Sequence, residues 1–232
     1  MPRPSALFRV QDLAQDQWGL VTRRQMAARG IGETTLERLS APGGLLERVA
    51  TGVYRLGVAP VPDHLDLRAA WLQLAPETPA WDRTADQGVV SHRSAASLYG
   101  LGHLPADRHE FTLPRRKQSR RPDVRIHVRA LAEGEWTALG GLLVTRPSRI
   151  ASDLLWDQED PEAVARIIAD AIRPVYDYPT TFADRLAPHA ARFGLRKGDG
   201  LALLRWLLEL TGDPDAARWM AEARGAVAGG PR

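Results

Sequence analysis

The sequence predicts an α+β protein in which a small N-terminal module of helices and strands precedes a mixed domain. Three patterns support this class. Residues 12–57 combine short helix signals with two strand-like runs, residues 108–131 hold two further runs in which apolar and polar side chains alternate, and from Pro161 the apolar spacing becomes helical. The 232 residues are 44% hydrophobic, which is enough for the core of one large or two modest domains.

The helix signals of the N-terminal module follow one another closely. An apolar-periodic segment ends at Trp18-Gly19, and Thr22 and Gln25 then have the spacing of a capping box, which predicts that a second helix begins there. Gly30-Ile31-Gly32 ends this second helix, and a third short helix is predicted from residue 33 to about residue 41.

Two strand-like runs, residues 45–49 and 53–56, follow the helices. Ala50-Thr51-Gly52 separates them and is typical of a hairpin loop. Helix, helix, tight turn, helix and hairpin in this order predict a winged helix-turn-helix, in which the first two helices hold a short third helix that reads DNA. A small module used for protein contacts is the alternative interpretation.

The DNA-reading interpretation assigns contacts to the outward positions of the module. Thr34 and Thr35 of the third helix can contact a thymine methyl group or a phosphate, and Arg38 can pair with guanine. Two glutamates on the same helix, Glu33 and Glu37, weigh against DNA, although glutamate can accept a hydrogen bond from cytosine. Further contacts are expected from the arginines that open the second helix and from those of the hairpin: Arg23, Arg24, Arg48 and Arg55.

Positive charge is concentrated in two stretches of the chain. The formal net charge is only +3, but residues 1–57 carry eight basic and five acidic side chains, and residues 108–129 carry eight and two. Such local positive potential is expected of a surface that faces phosphates. The second stretch contains a predicted hairpin loop that can grip phosphates without reading sequence, through Arg115, Arg116, Lys117, Arg120 and Arg121.

The stiff segment Ala59-Pro60-Val61-Pro62 predicts a domain boundary. We expect a winged-helix domain over residues 1–60 and an α+β domain over residues 61–232. Within the second domain we predict a small antiparallel sheet over about residues 88–145 and helices from about residue 147.

Three segments resemble the AbiEi-type antitoxins, which are the antitoxin halves of the bacterial toxin–antitoxin pairs called type IV. The first, VTRRQMAARGIGETTLERLSAPGGLLERVATGVYRL, resembles the winged-helix domain of that family and ends with its wing strand, Gly52-Val53-Tyr54-Arg55-Leu56. The second is VSHRSAASLYGL at residues 90–101. The third is TRPSRIASDL at residues 145–154, in which Ile150 departs from the threonine that is usual there.

The resemblance implies an antitoxin that represses its own operon by binding promoter repeats and that counteracts a nucleotidyltransferase-like toxin encoded beside it. It leaves open whether the toxin is bound directly, and whether a homodimer or cooperative binding forms on the DNA. Two other functions remain as alternatives. One is a stand-alone repressor whose C-terminal domain senses a small ligand, and the other is a nucleic-acid-processing enzyme with a winged-helix targeting module.

The sequence offers no recognisable catalytic constellation. It lacks a phosphate-binding loop and a nucleophile elbow, and neither of its two lysines, Lys117 and Lys197, follows an acid at the spacing of a nuclease core. Asp153 is predicted to pair with Arg149, one helical turn earlier. We therefore expect no enzyme, no catalytic residue, no metal and no cofactor.

Two further features bear on the compartment. The absence of cysteine excludes a disulfide framework and a thiolate zinc site. The N-terminal segment MPRPSALFRVQD lacks the apolar core of a signal peptide, so we expect a cytoplasmic protein.

Overall fold

The computed structural model describes residues 5–228, and it confirms the α+β class. The N-terminal part forms the predicted winged helix-turn-helix. Its elements, in chain order, are α1 (Ala6–Gln15), β1 (Leu20–Thr22), α2 (Arg23–Ala28), α3 (Glu33–Leu39), β2 (Leu46–Ala50) and β3 (Val53–Leu56).

Local sequence signals set the helix boundaries of this module. The predicted capping box is present, because Thr22 Oγ1 accepts a hydrogen bond from the backbone N–H of Gln25 at 3.0 Å and Gln25 Oε1 accepts from that of Thr22 at 3.0 Å. One apolar cluster joins the helices to the strands, and its buried members are Val10, Leu13, Ala14, Val21, Met26, Ile31, Leu36, Leu46 and Leu56.

The module contains a three-stranded antiparallel sheet in the order β1-β3-β2. Leu20 lies opposite Arg55, and Glu47 lies opposite Arg55 from the other side. Strand β1 was not predicted. Its presence makes β3 the central strand of the sheet rather than one half of a two-stranded hairpin.

A buried pair of amide side chains links α1 to α2. Gln17 and Gln25 are 0% and 2% exposed, and each donates its amide N–H to the other's amide oxygen, at 2.9 Å and 3.0 Å. Gln17 Oε1 also accepts from the backbone N–H of Ala80, and Gln25 Nε2 also donates to the carbonyl of Thr78. The pair therefore ties the winged helix to the segment around residues 78–80.

The rest of the chain contains a second sheet and seven further helices within residues 5–228. The strands are β4 (Val89–Val90), β5 (His109–Leu113), β6 (Val124–Val128), β7 (Trp136–Leu139) and β8 (Leu142–Thr145). The helices are α4 (Leu65–Leu74), α5 (His92–Tyr99), α6 (Pro147–Trp156), α7 (Pro161–Ile172), α8 (Pro179–Leu186), α9 (Gly200–Thr211) and α10 (Ala216–Ala228).

The second sheet has the strand order β6-β5-β4-β8-β7. It is mixed rather than purely antiparallel, because β4 and β8 pair in parallel with Val90 opposite Val144. A parallel pair needs a long connection between its strands, and more than fifty residues separate these two in the sequence.

The chain divides into two compact units. Among the described residues, the first comprises 5–89, 111–130 and 138–143, and so includes the winged helix, α4 and the loop between β5 and β6. The second comprises the remaining residues and includes α5 to α10. The division passes through strands of the second sheet and does not fall at residue 60, so a domain boundary at residue 60 stays a prediction.

Helices in the second unit bury apolar faces against one another. Leu204, Leu207 and Leu208 of α9 are fully buried. Across residues 5–228, every helix is too short or too polar to span a lipid bilayer.

Candidate DNA-binding surface

Helix α3 presents a polar face away from the core of the winged helix. Leu36 is 3% exposed and anchors the helix in the apolar cluster. Thr34 and Arg38 are exposed, and Thr35 is half-buried. Because Thr34 and Arg38 are four residues apart, they lie on one face of the helix, where both can meet a base edge.

The arginines that open α2 each have an acidic partner. Arg23 pairs with Glu33 at 2.7 Å, and Arg24 pairs with Glu77. All four side chains are more than half exposed, and exposed pairs contribute only about 0–1 kcal/mol, so a phosphate can replace the carboxylate. The ion pair with Arg23 also offsets the negative charge of Glu33, so this glutamate need not repel DNA.

Arg48 and Arg55 of the wing have different environments. Arg48 is exposed on β2 and forms no ion pair within residues 5–228. Arg55 is 8% exposed, and its guanidinium donates to Glu47 at 2.6 Å, to the carbonyl of Leu56 at 3.4 Å and to the carbonyl of Ala59. Arg55 is therefore occupied within the protein, and we remove it from the candidate DNA contacts.

The sequence places Arg55 on the hairpin with Arg48 as a candidate DNA contact, but the structure gives it partners inside the protein. In the structure β3 has a neighbour on each side, and Arg55 also binds the segment that leaves the wing at residue 59. The guanidinium of Arg55 is thereby bonded both to β2 and to the segment that follows β3.

The basic loop connects β5 to β6, which are neighbours in the second sheet, as the hairpin prediction required. Arg115, Arg116 and Arg120 are exposed and form no ion pair with any other residue that the structure describes. The two remaining cations hold the loop in place, since Lys117 Nζ donates to the carbonyl of Leu74 and Arg121 Nε donates to Asp123 at 2.9 Å. The hydrogen bond that Arg121 donates to Asp123 is the main cause of the raised pKa of Arg121.

Gln73 of α4 connects the wing to the basic loop. Its Nε2 donates to the carbonyl of Thr51 in the wing loop at 2.8 Å, and its Oε1 accepts from the guanidinium of Arg121 at 3.3 Å. Both contacts lie within the first compact unit. The wing tip and the basic loop are therefore neighbours, and both can contact one DNA duplex. Sequence reasoning missed Gln73, because no local signal pairs a helix residue with two distant loops.

The acid in the third antitoxin-like segment has a structural role. Arg149 donates to Asp153 at 2.9 Å, as predicted, and also to Glu135 at 3.0 Å. Arg185 pairs with the same Glu135 at 2.5 Å. Burial acts to lower the pKa of Arg149, but its bonds to Asp153 and Glu135 outweigh that effect and leave the pKa raised. These charges fasten α6 within the second unit.

One buried pair in the second unit involves residue types used in catalysis. Ser152 Oγ lies 2.9 Å from His189 Nε2, and the two residues are 8% and 3% exposed. The ring of Trp156 packs against His189 with the ring centroids 5.1 Å apart. Because the pair is closed to solvent, we interpret it as a satisfied core contact.

The fold and the exposed polar face of α3 define the N-terminal part as a winged helix-turn-helix domain. Residues 9–57 match the family described as "Transcriptional regulator, AbiEi antitoxin", which confirms the resemblance predicted for the first of the three segments. The match covers about a fifth of the chain and ends with the wing. No curated protein matches the chain in sequence.

Proposed function

We propose that this chain is an antitoxin and transcriptional autorepressor that binds repeats in its own promoter and counteracts a nucleotidyltransferase-like toxin. One observation carries the proposal. The segment similar to an antitoxin transcriptional regulator folds as a winged helix whose Arg38 and Arg48 are exposed and form no ion pair within residues 5–228. Arginines placed in this way are available to DNA without first losing a carboxylate partner.

The contacts divide into base-reading and phosphate-binding groups. Arg38, with Thr34 beside it on α3, is suited to base edges in the major groove. Arg48 on the wing is suited to phosphates, as are the unpaired arginines of the basic loop. The Gln73 contacts support this arrangement, because they keep the wing and the loop next to each other.

The DNA half of the proposal is tested with duplex DNA from immediately upstream of the gene and a shuffled duplex of the same composition. We expect the protein to prefer the upstream duplex. Arg38→Ala should reduce that preference by about 1–3 kcal/mol, since a bidentate arginine–guanine pair discriminates by about that amount. Arg205→Ala, which removes an exposed arginine from α9, is the matched control and should leave the preference intact. Equal binding of both duplexes by the wild type would refute autorepression.

The antitoxin half is tested by growth. A nucleotidyltransferase-like protein encoded beside this gene should arrest growth when it is expressed alone. Expression of the full chain from an unrelated promoter should restore growth. Arg38→Ala should restore it equally well, because this variant affects DNA reading and not the second unit. Absence of rescue by the soluble, DNA-binding wild type would rule out the antitoxin role and leave the repressor role standing.

A further inference from the structure

A pocket of about 660 Å³ lies between α1 and the segment that leaves the wing. One wall is a face of α1 that carries Phe8, Gln11 and Gln15, which recur at helical spacing. Trp18 forms the end of the pocket, and Leu56 and Pro60 belong to the opposite wall. The volume falls within the range of about 300–1,000 Å³ that is usual for small-molecule sites. None of the candidate DNA contacts lines this pocket.

The lining selects for an uncharged, aromatic occupant. The rings of Phe8 and Trp18 offer apolar surface, and Phe8 is 58% exposed, so a ligand would remove apolar area from water. The amides of Gln11 and Gln15 can each donate and accept a hydrogen bond. The one charged residue in the lining is Asp12, which pairs with Arg29 at 3.1 Å. A lining without a cation disfavours phosphates and carboxylates.

Trp18 is a fixed wall of this pocket. Its indole N–H donates to the carbonyl of Gly140 at 2.8 Å, and the guanidinium of Arg68 lies 4.4 Å from the centroid of its ring. Arg68 donates to the same carbonyl at 2.9 Å. A wall held by two direct contacts within the first unit is already in place before a ligand arrives, which reduces the entropic cost of binding.

The opposite wall is bonded to the wing. Leu56 and Ala59 line the pocket, and the carbonyls of both accept from the guanidinium of Arg55. Arg55 also pairs with Glu47 on β2, next to the exposed Arg48. A molecule wedged between α1 and this wall would lie against the two residues whose carbonyls bond Arg55.

We propose that this pocket binds an uncharged aromatic ligand and that its occupation weakens DNA binding through Arg55 and Glu47. The alternative function of a ligand-responsive repressor has its sensor in the C-terminal domain, whereas this pocket lies in the winged helix itself. The binding site stands on the geometry alone, and only its effect on DNA rests on the proposed function.

Binding is tested on the full chain with two probes that share one ring system. Dansylamide is uncharged, and dansylate (5-dimethylaminonaphthalene-1-sulfonate) is its anionic counterpart. We expect dansylamide to bind with saturable 1:1 stoichiometry and a blue-shifted emission, and dansylate to bind at least about tenfold more weakly. Equal binding of the two probes, or binding that does not saturate, would overturn the proposal.

Two variants locate the probe in the pocket. Gln15→Trp should fill the space and weaken dansylamide about tenfold or more, since residue 15 is exposed on α1 and can accept a larger side chain. Gln11→Arg should bring dansylate into the pocket by supplying a cation, whereas the matched control Gln118→Arg in the basic loop should not. If neither pocket variant changes either probe, the pocket is not the site.

The effect on DNA is a separate measurement. Saturating dansylamide should weaken binding of the upstream duplex about fivefold or more in the wild type. It should have no such effect in Glu47→Gln, which removes the ion pair to Arg55 at a half-exposed position and keeps the pocket lining. Unchanged DNA affinity with dansylamide bound would overturn the coupling. If the wild type binds no DNA, the proposed function fails while the probe titration still decides the ligand site.

Discussion

Arg55 joins three parts of the winged helix through one guanidinium group. It bonds to Glu47 on β2, to the end of its own strand at Leu56, and to Ala59 in the segment beyond. A buried guanidinium needs such partners, because an unsatisfied charged donor inside a protein costs several kcal/mol. The bonds of this residue therefore stabilise the wing.

Replacement of Arg55 should lower stability more than replacement of its exposed neighbour. Arg55→Met keeps an apolar stem but removes all three bonds, so we expect a loss of about 1–3 kcal/mol in the free energy of unfolding. Arg48→Met on β2 is the matched control and should change it by less than about 0.5 kcal/mol. Urea denaturation measures both. Equal stability of the two variants would show that the Arg55 bonds contribute nothing.

At the scale of elements, the amide pair of Gln17 and Gln25 fixes how α1 meets α2. Both side chains are buried, and their amide groups bond to each other as well as to backbone groups at Leu20, Thr22, Thr78 and Ala80. Removal of one member leaves buried polar groups without partners, which costs about 1–3 kcal/mol for each such group. The position of α3 depends on this frame, since α3 is too short to be stable by itself.

A double-mutant cycle tests the cooperation of the two glutamines. Gln17→Leu and Gln25→Leu should each destabilise the protein by about 2–3 kcal/mol, and the double variant should lose clearly less than the sum, because the second change removes a group already left unpaired. Gln15→Leu on the exposed face of α1 serves as the control and should be close to neutral. Additive losses in thermal or urea unfolding would contradict a coupled pair.

Elements marked by local chemistry could be predicted from the sequence. The capping box at Thr22 and Gln25, the start of α3 at Glu33 and the pair Arg149–Asp153 all depend on neighbours within four residues, and all are present. Local signals of this kind can be recognised in a single sequence, because they involve residues that are close to one another in the chain.

Features that depend on distant pairing could not be predicted in the same way. β1 has three residues and exists through its pairing with β3, and the two residues of β4 pair in parallel with β8. The bridge from Thr51 through Gln73 to Arg121 joins loops about seventy positions apart in the sequence. Such contacts depend on the tertiary fold and produce no periodic pattern of residues in the sequence.

At the scale of the whole molecule, exposed arginines without an ion pair within residues 5–228 occur in both compact units, for example Arg196 and Arg205 in the second. The sequence is close to balanced, with a net charge of +3. Many of its arginines are neutralised by carboxylates, whereas five exposed arginines of the first unit form no ion pair within residues 5–228: Arg38, Arg48, Arg115, Arg116 and Arg120. The proposed DNA contacts therefore depend on where these unpaired arginines lie in the first unit, and not on the net charge of the chain.

The salt dependence of DNA binding should show how much the unpaired arginines of the basic loop contribute. The plot of log K against log salt concentration has a negative slope, to which each phosphate contact contributes about −0.9. Neutralising the loop arginines by Arg115→Gln, Arg116→Gln and Arg120→Gln should therefore make this slope shallower by about 3. The control carries the same change of net charge in helices α7, α9 and α10, through Arg166→Gln, Arg205→Gln and Arg218→Gln. A slope that falls equally in both variants would mean that overall charge, and not the loop, governs binding.

The burial of Arg55 also bears on how proteins that share this wing sequence can diverge. The wing sequence Gly52-Val53-Tyr54-Arg55-Leu56 carries part of the resemblance to the AbiEi-type antitoxins, yet its arginine is bonded inside the protein, while the side chains proposed to read bases lie on α3. On this proposal, the resemblance and the choice of operator depend on different residues. Proteins that share this wing can select unrelated operators, and exchanging Thr34, Thr35 and Arg38 between them should retarget a repressor without disturbing its scaffold.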